Sequence, residues 1–571
     1  MSTPTCSPFD GLANEIIIYI LHCCSYKTIL QFGFTCKRNY KIVANSLSLR
    51  LQMELGVNGL GIVRSSEMGG MNATSSSILE ELNHYRNGCM AEAGLDIPVE
   101  QPVGHPKVLR WELHSGAYLR PIPRLLPTPQ PPPVNLGIKF QKFTADPSQD
   151  LAILVAVIPE RSKHVQLHMR SLTTGQPHPQ ARWPDLTVEF DFEASVLADS
   201  TVCYVPEVLE SVLAVRFDSE IKRMYEVLIW DWKAGGFLHR ISSRSGNCAS
   251  CFIDPSYIAI FSATAPLSEG RLLRDNTYNT QMDMGPKFCV SDYPVLDPDT
   301  IFEFPKLRNS HSVNSIALMA RSDPVPCRTV YTSSISFAYL RNITLGLSLS
   351  LFQHPTTQSD LGGIRNFRGF VSTSLLLNHL DQHRNSRGYP TVLPWDQWGE
   401  QATRWFPENE VDLSCSQMSG SRYITVKWGP NNLPGHHHLV ITDFNTPIVQ
   451  RHQDSDHLLT PYSYKFVRQG DNVTLLDTNR SMVDTHPLPS TNAPGSDDKV
   501  IIMTLGRDMP GTFDLGFEEV IVSRLPCRVI IRTKPETPHD GWFLDGNCII
   551  GIKNYFDEHP CLSIYNLRIS S

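Results

Sequence analysis

Phe143-Thr144-Ala145-Asp146, a short turn, and then Leu151-Ala152-Ile153-Leu154-Val155-Ala156-Val157-Ile158 set the character of most of this chain. An uncharged apolar run of this length, bounded by turn residues, reads as a strand buried on both faces. Val165-Gln166-Leu167-His168-Met169-Arg170 alternates, which predicts a half-exposed neighbour ending at Thr173-Thr174-Gly175. The same unit, an apolar residue, a spacer, an aspartate, a turn and a β-rich run, returns twice. It appears at Phe252-Ile253-Asp254 before Tyr257-Ile258-Ala259-Ile260, and at Phe543-Leu544-Asp545 before Cys548-Ile549-Ile550. Glu226-Val227-Leu228-Ile229-Trp230-Asp231-Trp232 closes on a Trp-Asp-like strand end and the turn Lys233-Ala234-Gly235-Gly236. Degenerate units of about 40–60 residues, none able to bury its own faces, predict a β-propeller-like domain over 140–571, with about six to eight blades. One or two β-sandwiches are the alternative that the same short strands allow.

The composition agrees with a globular, mainly β chain. Of 571 residues, 41% are apolar and 19% charged, and 57 acidic against 50 basic side chains leave a net charge of −7. Such a balance excludes a chain disordered throughout and gives no basic excess for nucleic acid or anionic membrane. Fourteen cysteines without regular spacing fit a reducing compartment, cytoplasmic or nuclear, better than a disulfide framework. The run Ile16 to Leu21 is too short to span a membrane and has no basic leader before it.

Residues 1–56 differ in texture. Asn14 reads as an N-cap, Glu15 suits the positive end of a helix, and Ile16, Ile17, Ile20, Leu21 and Cys24 form a broad stripe, with Ile18 and Tyr19 adding apolar surface elsewhere. A helix this apolar must be enclosed by its own domain or by a partner. Ser25 caps a second helix bearing Ile29, Leu30 and Phe32; Cys36, Tyr40 and Val43 share one face of a third, with Lys37, Arg38 and Lys41 turned away; a last turn stops at Gly56. So few short helices bury too little surface to be comfortable alone.

These residues resemble an F-box. Leu12-Ala13-Asn14-Glu15 and the run to Leu21 look like the family's Leu-Pro-x-Glu opening, and Thr35-Cys36-Lys37-Arg38-Asn39-Tyr40 looks like its Val/Thr-Cys-Arg-x-Trp/Tyr close. The chain departs at Ala13, where the family usually has proline, and at Cys24, where it usually has leucine. The resemblance implies docking onto the Skp-type adaptor of a Skp–cullin–F-box ubiquitin ligase, with Leu12, Ile16, Ile17, Ile20 and Leu21 as the apolar contact set. Asp146-Pro147-Ser148-Gln149-Asp150-Leu151 and Pro394-Trp395-Asp396-Gln397-Trp398-Gly399 with Arg404 are similar to large F-box proteins of mushroom-forming fungi, which adds an expectation of fold only.

Between the two units, 57–139 reads as a connector. A capping box at Ser77–Glu80 opens a helix over 77–93, and Pro121 to Pro133 favours extended backbone. No P-loop, nucleophile elbow or zincin helix occurs. Cys248 and Cys251 have metal or redox spacing without a second pair. His436-His437-His438 reads as a loop flank and the tryptophans 395, 398 and 405 as core fillers, while the adjacency of Asp454 and Asp456 does not by itself place an acid/base pair across a site. The expected function is therefore a substrate receptor without a catalytic site or cofactor: the helices recruit the adaptor and the β domain binds a protein target. The alternative is an interaction scaffold whose helices pack on its own β domain.

Overall fold

A computed structural model describes residues 9, 11–63, 74–88, 99–102, 138–157, 164–189, 202–219, 224–243, 247–254, 257–263, 286–292, 300–313, 319–321, 329–331, 335–340, 343–354, 363–383, 391–408, 418–428, 437–459, 464–469, 472–477, 500–513, 516–532, 539, 541–545, 548–553 and 561–566. The proline-rich 121–133 and the last residues of the expected helix 77–93 lie outside these.

Six sheets of four or five strands follow one another along the chain in a β-propeller-like arrangement. The first comprises Lys142–Asp146, Leu151–Val157, His164–Ser171 and Asp185–Glu189 in chain order, and the second Val202–Leu209, Val212–Ser219, Met224–Asp231 and Gly236–Ser243. The third runs from Asn247–Asp254 through Tyr257–Ala263 and Pro286–Asp292 to Thr300–Glu303, and gains a parallel strand at Thr391–Leu393. Thr344–Gln353 and Gly363–Ser372 are the long strands of the fourth, Arg422–Trp428 and His437–Asp443 lie in the fifth, and Gly541–Asp545, Cys548–Lys553 and Cys561–Asn566 begin the sixth.

Alternation along each strand makes this arrangement self-consistent. In the third sheet Cys248 and Phe252 join Leu209, Val227 and Ile229 of the second, whereas Ala249, Cys251 and Ile253 join Leu345, Leu347 and Leu349 of the fourth. Each described sheet between the first and the sixth thus shares one core with its predecessor and another with its successor. Cys248 and Cys251 therefore face opposite sides and cannot converge on one ion; burial pushes both thiols up. Trp398 and Trp405 fill the shared core of the third and fourth sheets, and Trp395 packs against it.

The recurring Phe-Asp unit occupies the same place each time, the first hairpin of the first, third and sixth sheets. Asp146 shows what the acid does in the first of them: its carboxylate accepts from the Ser148 amide at 3.1 Å and from Gln149 Nε2 at 2.9 Å, closing the turn. His164–Ser171 is mostly buried, not half-exposed, because residues 172–184 fold back over its end. Arg404 is buried and donates to the carbonyls of Leu525 at 2.8 Å, Met509 at 2.8 Å and Gly506 at 3.2 Å, so it holds the strand Thr403–Glu408 against the segment after Leu505.

The connector is not separate from the β unit. Val99–Pro102 pairs with Cys561–Asn566 and supplies the fourth strand of the sixth sheet, so sequence far ahead of residue 140 completes the end of the domain. Leu60–Ile62 likewise pairs with Ser336–Tyr339. Both ladders cross the expected boundary at 139, and the expected boundary at 56 falls inside the helix Leu47–Asn58.

Asp150 adopts a φ of 54° after the first hairpin turn and accepts from the Thr173 amide at 2.8 Å, the Thr173 hydroxyl at 2.6 Å and the Ser171 hydroxyl. Partial burial pushes its carboxyl up, but these hydrogen bonds outweigh that and hold it below the ordinary 3.8. The same balance, with donors His168 and Arg170, holds Asp185 down. Depressed folded-state values mean that this stability is whole above about pH 4 and is lost as pH falls through the lowered values. Asp150→Asn keeps a residue that tolerates left-handed backbone and removes the charge. The expected cost at neutral pH is about 1 kcal/mol, at the low end because the carboxylate is only partly buried. Thermal melts at about pH 7 and about pH 3 check this, and the acid-induced drop in melting temperature should be smaller in the variant than in the wild type.

Candidate docking surface

Residues 14–58 form four helices: α1 (Asn14–His22), α2 (Tyr26–Thr35), α3 (Lys37–Asn45) and α4 (Leu47–Asn58). Asn14 is not the cap of α1. Ala13 holds that position with no side-chain hydrogen bond, and the approach is tied instead by Arg38, which donates to the carbonyls of Phe9 at 3.2 Å and Leu12 at 2.9 Å. Ser25 caps α2 through the Thr28 amide as expected, Cys36 Sγ accepts from the Asn39 amide at the start of α3, and Ser46 caps α4. The last helix continues past Gly56 and stops at Gly59, whose φ of 66° needs a glycine.

The five expected contact residues divide. Ile17 and Leu21 are buried among Ile29, Ile42, Val43 and Leu49, so they are the module's own core and not available to a partner. Leu12 packs partly against that core. Ile16 and Ile20 are exposed, at 49% and 38%, and Tyr19 between them is 75% exposed. At spacings of three and four residues these three stand together on the outer face of α1. Leu30 and Phe34, the latter 79% exposed, lie one turn apart on α2. Tyr40 on α3 and Leu47 at the start of α4 are exposed too. Tyr40 therefore does not share the inner face with Val43; Ile42 does. Phe34 and Leu47 escape a reading by stripe because each helix buries only its narrow inner face. The signal that remains is an excess of apolar residues over what so small a core can hold.

The opposite side of the module is built into the β unit. A fifth helix, α5 (Ser75–Gly88), begins at Thr74, which accepts from the Ser77 amide; the cap thus falls three residues before the expected one. Arg86 of α5 and Arg451 both bond the carboxylate of Glu54 on α4, at 2.8 and 2.9 Å. Burial pulls the Arg86 guanidinium down, and Glu54 opposes that. Arg422 of the fifth sheet donates to the Arg86 carbonyl at 2.5 Å and lies 6.0 Å from the Tyr85 ring. The hydroxyls of Tyr85 and Tyr339 meet at 2.7 Å in a buried contact, and Asn445 donates to the Val57 carbonyl at 3.1 Å.

The other sequence candidates do not assemble a site. His438 bonds the Arg532 carbonyl through Nδ1 at 3.1 Å, while His436 and the side chains of Asp454 and Asp456 lie outside the described residues. Among the described residues no group of three or more His, Cys, Asp or Glu could hold a metal ion, and no helix is long and apolar enough to cross a membrane. No family model matches this chain, and a search of curated proteins finds no match either.

Glu54 joins three parts of the molecule, so its removal leaves Arg86 buried without its carboxylate. Glu54→Ala is expected to cost about 2 kcal/mol, and Glu54→Met with Arg86→Met less than the sum of the single changes. Urea denaturation of the wild type, Glu54→Ala, the two single Met variants and the double Met variant measures both.

Proposed function

We propose that the protein is the substrate-recognition subunit of a Skp–cullin–F-box type ubiquitin ligase, with α1–α3 docking the Skp-type adaptor and the β unit binding a protein target. The observation that carries this reading is the outer face of α1. Ile16, Tyr19 and Ile20 stay exposed while Ile17 and Leu21 already complete the module's core. Burying exposed side chains of this size against a partner is worth about 1–3 kcal/mol each, an ample driving force for association. The F-box-like sequence at Leu12–Leu21 and Thr35–Tyr40 names the partner class. The contact set is revised to Ile16, Tyr19 and Ile20, with Leu30 and Phe34 as further candidates.

On this reading the protein performs no bond chemistry. It supplies proximity, and the attached ligase transfers ubiquitin. Eight of its described cysteines are free thiols, in keeping with work in the cytoplasm or nucleus. The built-in junction at Glu54, Tyr85 and Arg86 favours a second reading, an interaction scaffold whose helices serve only the β unit.

Capture of the tagged chain from its own cells distinguishes the two. Ile16→Asp with Ile20→Asp, and separately Phe34→Asp, change exposed positions and should leave the melting temperature nearly unchanged. The expected result is that adaptor and cullin co-purify with the wild type and are lost from the Ile16/Ile20 variant. Absence of both from the wild-type capture would establish the scaffold reading instead.

A further inference from the structure

The entry to α1 is held from another helix. Ala13 stands at the cap position with φ −63° and ψ 147°, and its methyl side chain accepts nothing from the first-turn amides. Its carbonyl accepts from the Ile16 amide at 3.1 Å and from the Ile17 amide at 3.2 Å, so the first turn takes its direction from the backbone at Ala13. The peptide before Ala13 carries the Leu12 carbonyl, and that oxygen accepts from Arg38 Nη2 at 2.9 Å. A peptide is planar, so fixing the Leu12 oxygen fixes the plane that turns about the Ala13 N–Cα bond, which is the φ of Ala13.

The other arm of the same guanidinium, Nη1, donates to the Phe9 carbonyl at 3.2 Å. That carbonyl also accepts from the Leu12 amide at 3.2 Å, and the Phe9 ring stands edge-on to Phe32 of α2 with centroids 5.4 Å apart. A planar fork reaches two carbonyls at once, which a single ammonium does not. The place is otherwise unfavourable for a cation. Arg38 lies in the first turn of α3 and reaches to the start of α1, and both helix ends carry partial positive charge. The carbonyl bonds offset that repulsion. Within α1, Tyr19 and Ile20 lie in the turn that Leu21 anchors in the core, whereas Ile16 lies in the first turn. Ile17 anchors the inner side of that first turn and leaves the Ile16 side to the backbone.

We propose that Arg38 is a positioning residue for the outer face of α1: it holds the peptide between Leu12 and Ala13, and through it the first turn that presents Ile16 to the adaptor. That this face docks an adaptor rests on the receptor reading above, whereas the hold itself belongs to the free chain. A proline at position 13 would set by its ring, at about −65°, the φ that Arg38 sets by hydrogen bonding. Among the described residues the Ala13 amide donates no hydrogen bond that a proline would remove. The two devices are therefore interchangeable.

Hydrogen exchange at the Ile16 and Ile17 amides of the full chain, and its affinity for recombinant Skp-type adaptor, are measured in wild type and variants. Arg38→Ala should speed exchange at both amides about fivefold and weaken adaptor binding by a similar factor, because only chains with the first turn formed can bind. Arg38→Lys should fall between Arg38→Ala and the wild type. Ala13→Pro alone should match the wild type, and Ala13→Pro with Arg38→Ala should return exchange and affinity to within about twofold of it. Both positions are exposed, so every variant should melt close to the wild type. Unchanged exchange in Arg38→Ala would overturn the proposal. A double variant that binds as weakly as Arg38→Ala would overturn it too, since a proline cannot replace an arginine that touches the adaptor itself. Loss of protection at Ile16 and Ile17 in Ala13→Pro alone would show that φ is not what Arg38 holds. If the wild type binds no adaptor, the receptor reading fails, and the exchange measurements alone decide whether Arg38 holds the entry to α1.

Discussion

A β-strand left with a bare edge exposes a row of backbone donors and acceptors, and in this chain the segments ahead of the β unit satisfy two such edges. Leu60–Ile62 lies on Ser336–Tyr339, and Val99–Pro102 lies on Cys561–Asn566. The second pairing joins residues on either side of the whole β unit, so the last sheet is finished by backbone made before the first one begins. The first pairing sets the helical module on the β unit, because α4 leads into Leu60 with only Gly59 between them.

Once those ladders are made, side chains have little freedom left in how they meet. Glu54 finds Arg86 and Arg451, Tyr85 finds Tyr339, and Asn445 finds Val57. These are polar contacts at a junction, and they specify one orientation where an apolar contact would tolerate several. The consequence for the proposed receptor is geometric. An adaptor seated on Ile16, Tyr19 and Ile20 and a target seated on the β unit would be held in the relative orientation that these contacts specify.

The hairpins were legible where an apolar residue, an acid-bearing turn and a β-rich run followed one another, at Phe143–Asp146, Phe252–Asp254 and Phe543–Asp545. The core role of Trp398 and Trp405 followed from their bulk and clustering. The two strand exchanges were not legible, because Leu60–Ile62 and Val99–Pro102 are short and carry no period that separates a strand from a loop; only the partner's free edge makes them strands. The helix Thr373–His383 nearly coincides with the amphipathic pattern of Ser374 to Arg384, whereas Trp395–Ala402 was hidden by its tryptophans, which read as core fillers. On α1 the stripe was visible but its direction was not. Ile17 and Leu21 share it with Ile16 and Ile20, and an all-round apolar helix does not say which side its own core will take.

Hydrogen–deuterium exchange on the full chain tests the central claim, that the helical module is joined to the β unit by strand pairing and is not a separate body on a linker. Amides of Leu60–Ile62 should exchange as slowly as those of Ser336–Tyr339, and both should lose protection together as denaturant is added. Rapid exchange at Leu60–Ile62 while Ser336–Tyr339 stays protected, or loss of protection in α4 and α5 well before the fifth sheet, would contradict it.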